Sequence, residues 1–484
     1  MNASNANSAV APAVYHGDDK LTAGIVLAVV TFWLFAQTTL NVAPAMRSDL
    51  RIAEGVSNIA VSITALFSGI FIVVAGGLAD RLGRVKLTYA GLVLSVLGSL
   101  LIALSPAGTA IPLMAGRIIQ GISAACIMPA TLALLKAYFE GKDRQRAISF
   151  WSIGSWGGSG LSALFGGFVA STMGWRWIFW MSIAVAVLSF VLIRGTPESK
   201  AQATVRKPFD WLGLMAFIVA MVALNVVIGQ GATLGWLSPA VLVLTAVFVV
   251  SGVMFLKTET GNKNGFVDLR LFSNRIFSGA TLSNFLLNAA AGTLLVVLTL
   301  VQEAARLSSL QSGLLTVGYL VGVLATIRVG EKLLQRLGSR KPMLSGCWIT
   351  GAGIFLTAFT FLLAGEYLIV AFIGFTLFGI GLGLYATPST DAALSNVPQE
   401  SAGSASGIYK MASSLGAALG VAISAAIFAG LSHTEGVGVF ADIAIGRTDN
   451  MQVRFAAAIA LMFNVFMVAV AIVAIMMTIP KQNQ

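Results

Sequence analysis

Fourteen stretches of about 20 predominantly apolar residues, separated by short polar connections, leave this chain little choice but a bundle of membrane-spanning helices. They lie near 22–45, 58–78, 87–105, 112–137, 147–170, 176–194, 210–229, 237–256, 277–301, 310–329, 343–364, 367–394, 403–431 and 454–479. A lipid-exposed backbone can satisfy its hydrogen bonds only as a helix or a closed barrel, and these runs are far too long for barrel strands. The expected class is therefore an all-α polytopic membrane protein. Composition agrees: 57% of residues are hydrophobic, 10% are charged, and the mean hydropathy is +0.88. In a soluble domain the net charge of +11 would point to nucleic acid. In a membrane chain it belongs to loops on one side, so the lipid bilayer is the expected partner and nucleic acid is not.

The placement of that charge sets the orientation. With the N-terminus inside, 21 of the 30 Lys and Arg residues fall in cytoplasmic segments, 6 fall outside, and Arg117, Arg328 and Lys410 fall within spans. Such asymmetry predicts a multi-pass protein of the cell (plasma or inner) membrane with both termini cytoplasmic. Residues 1–19 are polar and lack a basic start followed by an apolar core, so they read as a disordered tail and not a cleaved signal. Cys126 and Cys347 lie inside apolar runs, whereas His16 and His433 lie outside them, which offers neither a disulfide framework nor a metal set. A membrane-embedded enzyme would need a nucleophile, a metal set or paired carboxylates converging near one interface, and these scattered groups do not supply one.

An internal echo organises the spans. Arg81-Leu82-Gly83-Arg84-Val85-Lys86 follows the second, and Arg336-Leu337-Gly338-Ser339-Arg340-Lys341 follows the tenth. If these are equivalent points of two six-helix halves, spans 210–229 and 237–256 are an insertion, flanked by the charged, turn-rich linkers 196–208 and 257–263. The expected division is a tail (1–19), an N-terminal six-helix half (20–195), a linker with two extra helices (196–275), a C-terminal half (276–480) and a short tail (481–484). Parallel halves related about the membrane normal place a ligand site at midplane between them.

The first echo belongs to the string Gly76-Gly77-Leu78-Ala79-Asp80-Arg81-Leu82-Gly83-Arg84-Val85-Lys86. Gly76 and Gly77 permit close helix contact, and Gly83 permits the turn. Asp80 sits at the dipole-negative end of a helix, where an acid needs a compensating cation or a facing helix N-terminus. The string resembles the signature loop between helices 2 and 3 of the major facilitator superfamily. That resemblance makes Gly77, Asp80, Arg81, Gly83 and Arg84 a conformational-switch loop and brings Asp80 to the N-terminal end of the span beginning near Gly403.

Other residues sit where their cost demands a reason. Arg117, inside the fourth span, costs at least roughly 2.5–3.5 kcal/mol and should face protein or a wet cavity. Gln120 and Gly121 share its face one turn away. Gly116-Arg117-Ile118-Ile119-Gln120-Gly121 resembles the helix 4 motif of proton-coupled facilitators, whose Arg participates in proton transfer. The fifth span is Gly-rich and resembles the antiporter-type helix 5: Gly158, Gly166 and Gly167 match, while Ser162-Ala163 replaces the usual Gly-Pro. In the first span, Trp33, Gln37 and Asn41 recur at i, i+4 and i+8, with Gln37 where drug exporters commonly carry an acid. Asn284 and Asn288 repeat the i, i+4 spacing in the ninth span. Such amides serve either to bond neighbouring helices or, facing one another across a cavity with Gln120 and Tyr385, to form a neutral polar site for amphipathic ligands. Asp391 and Lys410 lie at similar depth from one face, so a pair between them is expected, either as a conformational lock or as a gate opened by protonation. Glu303, near an outer end, is a further titrating candidate beside Arg117, Asp391 and Lys410.

Taken from residue 20 to 430, these matches and the run Trp151-Ser152-Ile153-Gly154-Ser155-Trp156-Gly157-Gly158-Ser159-Gly160 are similar to the fourteen-helix drug:proton antiporters, closely to the Nor-type quinolone and multidrug exporters. The resemblance implies proton-coupled efflux of amphipathic drugs by alternating access, with a proton gradient and no cofactor, in a monomer. A facilitator that imports or exports one endogenous metabolite would share the fold and differ only in its cavity.

Overall fold

Long apolar runs become long helices. The computed structural model describes residues 15–200, 210–261, 269–307, 309–362, 364–432 and 450–481, and among these every regular element is helical. The chain runs through α1 (Asp19–Val30), α2 (Thr39–Leu50), α3 (Glu54–Leu82), α4 (Arg84–Ala103), α5 (Ile111–Tyr138), α6 (Gly141–Ser152), α7 (Gly158–Thr172) and α8 (Arg176–Ile193). After α9 (Trp211–Leu234) and α10 (Pro239–Gly261) come α11 (Arg275–Ala289), α12 (Gly292–Ala304), α13 (Ser309–Leu314), α14 (Val317–Leu337) and α15 (Arg340–Thr357). The last three are α16 (Ala364–Ser395), α17 (Ala402–Ser432) and α18 (Met451–Thr478). Short π-helical segments, Thr31–Ala36 and Ile153–Gly157, precede α2 and join α6 to α7.

Among the described residues twelve helices are long and apolar enough to cross a membrane, against the fourteen spans expected from the sequence. The expected spans outside this set have identifiable defects. The fifth carries Lys142, Asp143, Arg144 and Arg146 in its first turns and is interrupted by a π turn, and the eleventh, α15, opens on Arg340-Lys341. Residues 15–18, assigned to a disordered tail, are instead held in place: Tyr15 meets the Tyr138 ring edge-on at 4.9 Å, Gly17 N–H donates to the Tyr138 carbonyl at 2.8 Å, and Asp18 caps α1 by accepting from Leu21 N–H at 2.7 Å. Residues 1–14 and His433, with residues 201–208 of the linker before α9 and residues 262–263 of the linker after α10, lie outside the described residues.

The packing pattern repeats. In the first half α5 lies against α3 and α4, and in the second α16 lies in the same way against α14 and α15. The six-residue echo falls at the corresponding turn in each half, where Gly83 (φ +122°) and Gly338 (φ +70°) adopt backbone angles that a side chain disfavours. The halves meet where α17 crosses α3 and α5, and where α6 meets α14 and α16. α9 touches both α3 and α17, while α10 leans mainly on α9 and turns Leu242, Val243, Val249 and Val250 outward. Apolar side chains cover the outside of the bundle, a surface suited to lipid. Inside, serines tie helices together, as in the bonds from Ser189 to the Gly24 carbonyl (2.7 Å) and from Ser424 to Asn464 Oδ1 (3.1 Å). Each such bond contributes about 0.6 kcal/mol in a membrane interior.

Both described chain ends and the turns at Gly83, Gly141 and Gly338 gather at one end of the bundle, together with most of the Lys and Arg residues. This is called the basic end below.

Candidate functional site

Asp80, in the last turn of α3, meets the compensation its position requires. Its two carboxylate oxygens accept from the first backbone amides of α17, Gly403 N–H and Ser404 N–H, each at 2.8 Å. Arg84 Nη2 donates to the same carboxylate at 2.9 Å. Arg84 is 1% exposed and reaches on to Ser199 Oγ (3.0 Å) and the Gln399 carbonyl, so one guanidinium joins the first half to the turn that opens α17. The approach needs glycine: a Cβ on Gly76 would lie 2.4 Å from the Gly403 carbonyl oxygen. Glu198 caps α4 by accepting from Val85 and Lys86 N–H at 2.9 and 3.0 Å. Gly77 is buried beside this contact and Arg81 is exposed.

Further bonds close the basic end. The buried ammonium of Lys136 on α5 donates to the carbonyls of Leu394 and Val397, at the C-terminal end of α16, where a cation is favoured. The expected pair between Asp391 and Lys410 is not formed. Asp391 instead takes Arg144 of α6 (3.3 Å), with Gln145 and Ser395 beside it. Its position four residues from the end of α16, about 6 Å, keeps it level with the start of α6. Lys410 is eight residues into α17, about 12 Å deep, and places its ammonium 4.2 Å from the Trp151 ring centroid. Glu303 is exposed toward the opposite end.

In the first half Arg117 is 2% exposed and, among the described residues, has no acid beside it. Its guanidinium donates to the Ala60, Ala36 and Val61 carbonyls (2.8, 2.9 and 3.2 Å) and to Gln120 Oε1 (2.9 Å), so it joins the starts of α2 and α3 to α5. Gln120 in turn donates to Ser99 Oγ at 3.2 Å. The stack of Trp33, Gln37 and Asn41 on one face does not survive: the π turn at Thr31–Ala36 shifts the helical register, leaving Trp33 and Gln37 partly buried and Asn41 exposed. Among the described residues the indole N–H of Trp33 meets no acceptor.

The small-residue stripe of the fifth helix faces the first. A Cβ on Gly158 would lie 3.1 Å from Trp33 Cβ, and one on Gly166 2.2 Å from Thr38 Cγ2, while Thr38 Oγ1 donates to the Ser162 carbonyl at 3.1 Å. Gly167 faces open space. Gly166→Val is therefore expected to destabilise the protein by about 1–3 kcal/mol, and Gly167→Ala to be tolerated. Thermal unfolding of both variants in one detergent checks this, and equal melting temperatures would reject it.

In the second half the Asn residues bond within their own half. Asn284 donates to the Tyr409 carbonyl (3.0 Å), and Asn288 to Asn284 Oδ1 (2.9 Å). Tyr385 is buried in a hydroxyl chain with Ser283 (2.7 Å) and Ser389 (2.9 Å), which also reaches Tyr409 (2.8 Å). These groups join α11, α16 and α17, and Asn284 bonds a neighbouring helix, one of the two arrangements expected for the amides. Sequence reasoning passed over two buried groups, Lys136 and Glu331, the latter paired with Arg328, and read Trp151 only as part of a Trp- and Gly-rich run. The helical spacing of Arg328 and Glu331 at i, i+3 was a signal available in the sequence.

Comparison with known proteins fits this geometry. The sequence pattern described as Major Facilitator Superfamily matches residues 25–421 and again 277–482. The quinolone resistance protein NorB of Staphylococcus aureus (strain COL) is 49% identical over 469 residues, covering 97% of each chain, and that of strain Newman is equally similar. Among solved structures, the proton:xylose symporter XylE bound to 6-bromo-6-deoxy-D-glucose superposes with a TM-score of 0.64 at 16% identity, over 96% of each chain. A bacterial homologue of the iron transporter ferroportin in an outward-facing state gives 0.60 at 13% identity, over 94% of this chain and 98% of that one. The repeated helix packing, the glycine turn of each half and a relative matching from end to end agree, and the chain belongs to the major facilitator superfamily.

Proposed function

We propose that this protein exports amphipathic drugs, quinolones among them, in exchange for protons by alternating access. Similarity over nearly the whole chain to a quinolone resistance protein carries this reading. The excess of Lys and Arg at the basic end supports a cytoplasmic position for that end and for both termini. Helix α15 and the α6–α7 segment supply the thirteenth and fourteenth crossings, since charge at their basic ends can reach the interface while their remaining turns stay apolar. α9 and α10 are then the extra pair between two six-helix halves.

The contacts that seal the seam lie at the basic end: Asp80 with α17, Arg84 with Gln399, Lys136 with Leu394 and Val397, and Arg144 with Asp391. They form a closed inner gate. Loss of the pair between Asp391 and Arg144, which joins the two halves, would weaken that gate. Arg117 ties α3 to α5 in the first half, and the partly buried Trp33, Gln37 and Asn288 offer polar edges to a ligand. The transporter works as a monomer with the proton gradient as its energy source and no cofactor.

Sealed vesicles with an imposed proton gradient test the coupling. Discharging the gradient is expected to abolish drug export, in keeping with the lack of a Gly-x-x-x-x-Gly-Lys-Ser/Thr nucleotide loop in the sequence. Export that continued without a gradient and required ATP would overturn the reading.

A further inference from the structure

Lys410 stands out among the buried charges along the seam because it has no countercharge. The acids there are each matched to an arginine: Asp80 to Arg84, Asp391 to Arg144 and Glu331 to Arg328. Arg117 and Lys136, the cations without an acid, are held by carbonyls. Lys410 is 7% exposed, and among the described residues it makes no ion pair and no side-chain hydrogen bond. Its ammonium has the Trp151 ring instead, and that ring is fixed in place, 1% exposed with its indole N–H donating to Thr131 Oγ1 at 3.0 Å.

Among the described residues no acid is left to supply the missing charge. α5, α11 and α17 contain none, and α6 holds only Asp143, exposed and eight positions before Trp151; on the other helices packed against α17, Asp80 of α3 and Asp391 of α16 are paired with Arg84 and Arg144, and Glu54, Glu303 and Glu366 lie at the opposite end. An aromatic face replaces only part of the hydration an ammonium loses on burial. Access comes from the side away from the basic end, where Ser414, one turn along α17 on the same face, is exposed. A buried cation with an aromatic wall and an open approach is arranged to receive an anion attached to an apolar body.

We propose that Lys410 and Trp151 form the anchoring site for the carboxylate of an amphipathic aromatic substrate, with the Lys410 ammonium supplying the countercharge. This rests on the drug-export reading and deepens it, because it states which substrates are preferred. A carboxylate entering the site completes the charge balance that the protein leaves open, whereas a neutral analogue enters with nothing for the ammonium to pair with.

The test is the affinity of purified protein, without a gradient, for a fluoroquinolone and for its ethyl ester. Wild-type protein is expected to prefer the acid at least tenfold, and Lys410→Gln to reduce that preference at least tenfold. Lys410→Arg keeps the charge and is expected to keep the preference, so a poorly folded Gln variant does not remove the test. An unchanged acid-to-ester ratio in Lys410→Gln, or loss of the preference in Lys410→Arg, overturns the proposal. So does wild-type protein that binds acid and ester alike, an outcome that leaves drug export standing. If wild-type protein binds neither compound, the export reading falls and this proposal with it. If the ratio holds in Lys410→Gln while proton uptake on substrate addition is lost, Lys410 carries protons and does not anchor substrate.

Discussion

Arg117→Ala is expected to eliminate gradient-driven export while the protein still inserts and folds. The guanidinium makes four bonds, three to backbone carbonyls and one to Gln120, and bridges three helical segments of the first half. Each bond to a charged donor contributes about 1.5–3 kcal/mol. Removing the side chain also removes a cation whose burial is costly, and these opposing effects leave the folded state viable. The transport cycle has no such offset, because the bridge and its charge are lost together. If the cycle relies on two of these bonds, export falls on the order of a hundredfold or more, and reliance on one alone lowers it at least about tenfold. Arg117→Lys is expected to recover little, since an ammonium cannot reproduce a planar fork serving Ala36, Ala60 and Val61 at once. Proton uptake on substrate addition in reconstituted vesicles, with size-exclusion profiles as the folding control, decides the matter. Wild-type-like uptake in Arg117→Ala would reduce the residue to a structural cross-link.

Much of the gate was legible in the sequence, and the reasons for the misses are physical. An acid at the negative end of a helix cannot stand alone, so Asp80 called for a partner, and its resemblance to a known loop named the region of Gly403. The Asp391 and Lys410 pairing failed because hydropathy reports how deep a residue sits but not which way it faces. The helix ends matter as well: Asp391 lies about 6 Å from the end of α16 and Lys410 about 12 Å into α17, so the two meet different neighbours, Arg144 and Trp151. The π turns at Thr31–Ala36 and Ile153–Gly157 carry no compositional mark of their own, and one of them dissolved the proposed stack of Trp33, Gln37 and Asn41. Glu331 escaped notice because α14 continues as a helix to Leu337, beyond the apolar window that ended near residue 329. Lys136 was counted with the loop charges because it stands at the very end of the span expected near 112–137, although it lies in the last turn of α5, which carries it to the carbonyls that close α16.

Asp80→Asn is expected to shift the population away from the state with a closed basic end and to slow turnover. Asparagine keeps one acceptor oxygen but turns an N–H₂ group toward either Gly403 N–H or Ser404 N–H, and it gives Arg84 no ion pair. An amide left without its acceptor costs about 1–3 kcal/mol, enough to change the ratio of two states by roughly fivefold to more than a hundredfold. The contact joins α3 of one half to α17 of the other, so the whole loss falls on the state in which they touch. Substrate affinity measured without cycling is expected to change little, because Asp80 lies at the gate and not beside the ligand. Single cysteines placed inside the basic end, on a background lacking Cys126 and Cys347, are expected to label faster in Asp80→Asn than in its parent. Gly76→Val makes the same prediction by a different route, since its side chain would drive into the Gly403 carbonyl while every charge stays in place. If both variants label faster, the close approach of α3 and α17 is the switch and the carboxylate is its latch. Faster labelling in Gly76→Val alone would mean that shape and not charge holds the gate, and unchanged labelling in both would move the switch to Arg144 and Asp391.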